Sequence, residues 1–373
     1  MLFVALWTAV ASCGGDASVT QPFTPDTPQP AGRRIVSITS AFRSTCVLTD
    51  AGTVFCWGEN RFGEFGDGTT QPSSTPIAGA GGLHFARLYG STGTARMCGL
   101  DAGAQAFCWG YNINGEVGNG TTDPAPTPSL VIGGHRFTTI ASSYHTCGLE
   151  DTARAYCWGP SIGGELGDGT TDNFYSALSP QAVVGATRYT AITNGTEFTC
   201  ALQESGSADC WGWGVGLGSG PGDRTVSTPT PVSGGLRFAR ISAASDWVCA
   251  LTVAGATYCW GNTGDSLRTA PTPVPTNLTF REIVAVSAHG ACALTQAGEA
   301  YCWYERTAPQ LVPGHHQFAG LGSGLSPDRP SLSADYCGYT AGGAGYCWYW
   351  GTIVVNGQAV PELTDPQLLP PLP

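Results

Sequence analysis

Short apolar stretches alternate with turn residues along most of the chain, and their period is that of strands. Thr45-Cys46-Val47-Leu48 reads as one strand and Thr53-Val54-Phe55-Cys56-Trp57 as the next, with the tight turn Thr49-Asp50-Ala51-Gly52 between them. Upstream of each such hairpin lies a further strand carrying an aromatic or aliphatic pair spaced by three: Ile35 and Ile38, Phe85 and Leu88, Phe137 and Ile140, Tyr189 and Ile192, Phe238 and Ile241, Phe280 and Ile283, Phe318 and Leu321. Downstream comes a Pro-led strand, as in Thr75-Pro76-Ile77, Pro231-Val232, Pro273-Val274, Pro309-Gln310-Leu311-Val312 and Pro366-Gln367-Leu368-Leu369.

This unit recurs seven times, and the cysteines mark it. The pairs share one spacing: Cys46 with Cys56, Cys98 with Cys108, Cys147 with Cys157, Cys200 with Cys210, Cys249 with Cys259, Cys292 with Cys302 and Cys337 with Cys347. Each second cysteine precedes a tryptophan: Trp57, Trp109, Trp158, Trp211, Trp260, Trp303 and Trp348. Successive repeats start 52, 49, 53, 49, 43 and 45 residues apart, a period typical of blade arrays. A glycine six residues after the first cysteine (Gly52, Gly206, Gly255, Gly298, Gly343) suits the left-handed position of a three-residue hairpin loop. The second copy is read as moving it one place earlier, to Gly103. The third lacks it, and its turn, residues 150–153, is expected to be the most strained. The hairpin sets its two cysteines opposite each other, about 4.5–5.5 Å apart at Cα, within disulfide reach. Seven intra-hairpin disulfides and an all-β, seven-bladed propeller of four-stranded blades follow.

After the tryptophan, the early copies share a glycine-rich loop. It runs Trp57-Gly58-Glu59-Asn60-Arg61-Phe62-Gly63-Glu64-Phe65-Gly66-Asp67-Gly68-Thr69-Thr70 in the first copy and Trp109-Gly110-Tyr111-Asn112-Ile113-Asn114-Gly115-Glu116-Val117-Gly118-Asn119-Gly120-Thr121-Thr122 in the second. The third keeps Gly164-Glu165-Leu166-Gly167-Asp168-Gly169-Thr170-Thr171, the fourth is degenerate (residues 212–218), and later copies have largely lost it. With the Cys-x-Leu strand, the loop resembles the regulator of chromosome condensation repeat, in its cysteine-rich bacterial exported form, over residues 32–373. The resemblance implies the propeller fold. Guanine-nucleotide exchange, an activity of eukaryotic members, is disfavoured because an exported chain does not meet a cytosolic GTPase.

The remaining cysteine lies elsewhere. Residues 1–12 (MLFVALWTAVAS) are apolar, too short to span a bilayer, and fit a signal peptide. Val10-Ala11-Ser12-Cys13 resembles the bacterial lipoprotein signal, which implies lipidation at Cys13, although a basic n-region is missing. Residues 13–31 then form a Pro/Thr-rich tether. The resulting expectation is an outer-membrane or cell-surface lipoprotein that meets the membrane only through this anchor; without the anchor the protein would be periplasmic or extracellular.

Composition narrows the chemistry. Of 373 residues, 79 are Gly or Pro, which argues against long helices. The net charge is −11 and every basic residue is arginine, so no basic stripe is present to neutralise phosphates and nucleic-acid binding is not expected. The six histidines (His84, His135, His145, His289, His315, His316) show no metal spacing, and His315-His316 reads as an exposed loop pair. The glycine loop has neither the helix nor the lysine of a phosphate cradle, and its Asx-Gly steps read as turns. No cofactor, metal or catalytic residue is assigned, and a monomer is expected. The residues that vary between copies are those just before Thr/Val-Cys: Arg43-Ser44, Ala95-Arg96, Tyr144-His145, Glu197-Phe198, Asp246-Trp247, His289-Gly290 and Ala334-Asp335. They are expected to ring one face. Of them Arg43, Arg96, Tyr144, His145, Glu197, Phe198, Asp246, Trp247, His289 and Asp335 form a candidate recognition surface for a protein or other envelope macromolecule. Trp213, Tyr304 and Trp350 are further candidates. The alternative is a propeller enzyme, a lyase or hydrolase on envelope polysaccharide or peptide.

Overall fold

The computed structural model describes residues 29–91, 93–170, 175–220, 225–262, 267–285, 290–304, 307–324, 335–355 and 358–373. Each repeat forms one antiparallel four-stranded sheet whose strands follow in chain order. In blade 1 these are Ile35–Ala41, Ser44–Thr49, Val54–Gly58 and Ser73–Ala78. The first strands of blades 2 to 7 begin at Arg87, Phe137, Tyr189, Phe238, Glu282 and Phe318. First strands of successive blades lie against one another, so the seven ring the central axis. In blade 7 an extra hairpin, Trp350–Val355 with Gln358–Leu363, is inserted before the fourth strand, Gln367–Leu368.

In every blade the two cysteines are direct cross-strand partners. All seven expected bridges are present. Cys46 is joined to Cys56, Cys98 to Cys108, Cys147 to Cys157, Cys200 to Cys210, Cys249 to Cys259, Cys292 to Cys302 and Cys337 to Cys347. Their Cα separations are 4.0–4.2 Å. That is closer than the 4.5–5.5 Å expected from the sequence, because the bridge draws the two strands together beyond an unbridged antiparallel pair. Both cysteines of every pair are buried, and seven buried disulfides suit an oxidising, extracellular environment.

The spacing of three in the first strand has a physical reason. Residues i and i+3 of a regular strand point to opposite faces. Here the register slips between Ile35 and Ser37, between Tyr189 and Ala191, between Phe238 and Arg240, and between Phe318 and Gly320. Such a bulge turns both members of the pair inward, and Ile35, Ile38, Phe137, Ile140, Phe318 and Leu321 are all buried. The aromatic member then stacks on its own blade's tryptophan, as Phe85 does on Trp109 at 5.6 Å and Phe318 on Trp348 at 5.1 Å.

The turn between the second and third strands ties each blade to the next. The carbonyl of its left-handed residue accepts the backbone N–H that opens the following blade. These bonds are Phe85 to Gly52 (2.9 Å), Phe137 to Ala104 (2.8 Å), Tyr189 to Ala153 (2.8 Å), Phe238 to Gly206 (2.7 Å), Phe280 to Gly255 (3.0 Å) and Phe318 to Gly298 (2.8 Å). The seventh, Ile35 to Gly343 at 3.1 Å, closes the ring. Gly103 does not take the special position in blade 2. Ala104 does, at φ 63°, just as Ala153 does at φ 65° in blade 3, because the carbonyl must face the next blade at a fixed distance from the cysteines. The strain expected in the third turn alone is therefore shared by two. Ala104→Gly should raise stability by about 0.5–1 kcal/mol, the left-handed penalty of alanine less the added chain entropy of glycine. In Gly255→Ala a Cβ would stand 2.8 Å from the Phe280 carbonyl, so stability should fall by about 1–3 kcal/mol. Chemical denaturation of both variants checks this, and equal shifts would contradict it.

The glycine loop is a second tie. Its backbone carbonyl accepts the indole N–H of the next blade's tryptophan: Trp109 to Glu64, Trp158 to Glu116 and Trp211 to Glu165, each 2.9 Å, and Trp260 to Gly216 at 3.0 Å. A Cβ on Gly66, Gly118, Gly167 or Gly218 would lie 2.5–2.8 Å from that indole nitrogen, so glycine is what lets the loop close over the ring. The degenerate fourth loop keeps this contact. Buried Asn60 holds the loop in shape, donating to the Thr69 and Gln71 carbonyls and accepting from Phe65 N–H; Asn112 repeats the pattern. Asp67 and Asn119 accept from the threonines two residues on, in Asx turns. Trp303 in blade 6 is buried with its indole N–H unpaired among the described residues. Trp109→Phe removes the Glu64 carbonyl's donor and leaves a void, and should cost about 2–3 kcal/mol. A midpoint unchanged from wild type in the same assay would show that the tie is dispensable.

Among the described residues no strand is exchanged between the first and last blades. Ring closure instead combines the Ile35–Gly343 bond, a 2.8 Å contact between the Ser40 and Ser323 hydroxyls, and an apolar cluster of Ile35, Ile38, Trp57 and Leu369 with Cys337 and Cys347.

Candidate functional site

Second and third strands meet at the face that carries the turn ties. The opposite face carries the connections from first to second strand and the glycine loops, and it holds the residues that vary between repeats. The variable pairs divide by strand parity. The member two residues before each cysteine points inward with it: Ser44, Arg96, His145, Phe198 and Trp247 are all buried. The member one residue earlier stays in the connection, where Tyr144 is exposed and Arg43, Glu197 and Asp246 are partly so, while Ala95 is covered. His289 lies outside the described residues, as does Cys13, and the Asp335 backbone belongs to the second strand of blade 7.

The buried members fasten blade to blade. Arg96 donates from Nη2 to the Ser143 carbonyl at 2.7 Å and to Ser142 Oγ at 3.0 Å, both in blade 3. Burial pulls its guanidinium down to about 10, with Glu116 acting against that shift. His145 Nε2 meets Thr199 Oγ1 of blade 4 at 2.6 Å. Burial, with Arg96 nearby, pushes this imidazole down to about 3, so it is neutral at ordinary pH. Neither residue belongs to an exposed rim.

What the outer surface of this face presents is an arc of apolar rings. Phe42, Tyr144 and Trp213 are 45–48% exposed, and Ile113, Ile162 and Leu267 are exposed beside them. Phe42 holds φ 52°, a conformation costly for a bulky side chain. Arg43 lies over its ring at 5.3 Å and pairs with Glu59 at 3.2 Å. Phe62 meets Tyr111 edge to face at 5.1 Å. Between blades 1 and 3 a recess of about 410 Å³ is lined by Phe42, Phe62, Tyr111, Tyr144, Ile162 and Glu116. The Glu116 carboxylate and the buried Arg96 guanidinium attract each other. A second recess, of about 370 Å³, lies between blades 4 and 5 against Glu197, Trp213, Asp246, Asn262 and Leu267. Of this arc only Tyr144 and Trp213 stand out in the sequence. Tyr111 shares with Glu59, Pro160, Trp213 and Asn262 the variable position just after the Trp-Gly step of the first five copies, a signal that comparison of the loops brings out. Tyr304 and Trp350 contact each other at 6.5 Å, and Trp350 packs partly against the blade 6–7 core.

Other candidate chemistry is dispersed. His315 is exposed, but His316 is not its surface twin: it is half-buried, stacked on Tyr346 at 4.2 Å. Among the described residues no three of His, Cys, Asp and Glu gather to hold a metal ion, and no helix is long and apolar enough to cross a membrane.

Burial pushes the Glu64 carboxyl upward, to about 7, although it accepts the Phe62 N–H at 2.8 Å. The folded state therefore binds this proton more tightly than the unfolded chain. The group's stabilising effect is fully present below pH about 4.5 and is lost as pH rises to about 7. Across that window Glu64 should lower stability by up to about 3 kcal/mol, and Glu64→Gln should remove the decline. Denaturation midpoints of both proteins between pH 4 and 8 decide the matter, and parallel curves would refute it.

The fold defines a seven-bladed β-propeller with one disulfide staple per blade. Its repeat is more particular: residues 35–64 match the family model described as Regulator of chromosome condensation (RCC1) repeat. The chain is 27% identical over 103 residues to the human E3 ubiquitin-protein ligase HERC2, a match covering 27% of this chain and 2% of that protein. It is 26% identical over 206 residues to the ultraviolet-B receptor UVR8 of Arabidopsis thaliana, covering 52% and 44%. The match thus spans less than half the length of either relative. Among solved structures it is similar to Prp20p from Saccharomyces cerevisiae, described with its binding to Gsp1p and histones, with TM-score 0.64, 18% identity, and 77% and 80% of the two chains covered.

Proposed function

We propose that the protein is an exported binding propeller that presents its loop face to a protein partner. Residues 1–12 serve as the signal, lipidated Cys13 as the anchor, and the segment to residue 31 as the tether. The observation that carries the reading is the arc of exposed rings on one face: Phe42, Tyr144 and Trp213, with Phe62 and Tyr111 lining the recess between them. Aromatic side chains left exposed on a rigid scaffold are the usual anchors of protein recognition, and a strained Phe42 held outward is consistent with selection for contact rather than for packing. Disulfides and interblade ties fix the loops beforehand, so little ordering entropy is lost on association.

Arg96→Ala or Trp247→Ala would empty the core and would not probe this face. The informative variant is Phe62→Ser combined with Tyr144→Ser. Cross-linked capture from the envelope fraction by wild type should yield a partner that the double variant loses by about tenfold or more, with an unchanged melting temperature. Equal capture by the two proteins would sink the assignment.

A further inference from the structure

The two recesses of the loop face differ in charge. In the first, the single carboxylate, Glu116, interacts electrostatically with the buried Arg96 guanidinium. The second carries two carboxylates, Glu197 and Asp246, which occupy the same position in consecutive blades. Among the described residues, no Arg or His lines it. Asp246 is held in place by a 2.7 Å bond from Asn262 Nδ2. Glu197 is partly withdrawn from water, and with Glu165 nearby its carboxyl is pushed above the usual range. The wall of the recess is the indole of Trp213, nearly half of which is exposed. Two acids and an open aromatic ring suit a cation.

We propose that this recess between blades 4 and 5 seats an arginine side chain of the partner protein, its guanidinium stacked on Trp213 and bonded to Glu197 and Asp246. The charge of the recess calls for a cation. The flat indole beside two acceptors favours a planar, forked one over a compact ammonium. The opening, about 370 Å³ on the rim, admits a long side chain from a docked segment. This proposal rests on the reading of the loop face as a binding surface and names what that surface selects.

The test uses the full chain and N-acetyl-arginine amide as probe, followed by saturation-transfer NMR. N-acetyl-citrulline amide serves as its uncharged isostere. Arginine amide should saturate, and citrulline amide should bind at least about tenfold more weakly, since charge-assisted bonds are roughly twice as strong as neutral ones. Trp213→Ala, and Glu197→Gln with Asp246→Asn, should each weaken arginine binding about five- to tenfold without changing the melting temperature. Equal binding of the two amides overturns the proposal, as does wild-type affinity in both variants or no saturation by arginine amide up to about 20 mM. If any of these occurs while the variant altered at Phe62 and Tyr144 still loses its partner, the loop face stands and only the arginine seat falls. If capture is also unaffected there, the face itself is wrong.

Discussion

One backbone hydrogen bond, made seven times, organises the molecule: the carbonyl at the left-handed corner of each hairpin accepts the N–H that opens the next blade. It fixes the hairpin loop at three residues, because a longer or shorter turn would carry the carbonyl away. It also fixes where the first strand starts, and hence which of its residues fall on the tryptophan. The disulfide supports the same bond from inside the blade by locking the two strands that lead into the corner. Blades this short have little core of their own, and most of their apolar burial is against neighbours. A tie that sets the spacing between blades therefore governs how well every other contact can form.

The repeat, the staples, the four-stranded blades and the all-β class are legible in the chain, since each depends on local spacing that repeats seven times. The bulge that reconciles a spacing of three with a strand is not, because register is decided by the partner strand. The left-handed alanines at 104 and 153 escape for a related reason. A residue type reports only its own preference, and here the tie to the next blade outweighs it. The glycine loop is recognisable as scaffold, yet its work, leaving room for a neighbouring indole, emerges only when blades are side by side.

The candidate site is half legible. Variation between repeats locates the loop face but merges two classes of residue. A parity argument separates them: positions two before a buried cysteine share its side of the strand, so Arg96, His145, Phe198 and Trp247 belong inside. Arg96 and His145 show why such positions vary without touching a ligand. Each solves a local problem of fastening one blade to the next with the partner it finds there. The outer arc draws on connections and loops whose exposure no periodicity encodes. The contrasting charge of the two recesses depends on whether a guanidinium is close enough to act on their carboxylates.

Six of the seven interfaces are also spanned by the chain itself, and the one between the last blade and the first is not. Extra contacts gather there: Arg33 reaches the Leu372 carbonyl at 3.2 Å, Gln29 N–H reaches that of Gly342 at 2.9 Å, and the Arg34 guanidinium reaches that of Ala341. The ring thus behaves as a clasped bracelet. Residues 29–34 lead into the first blade at this joint, so tension on the chain there would act first on the interface that the chain leaves uncrossed.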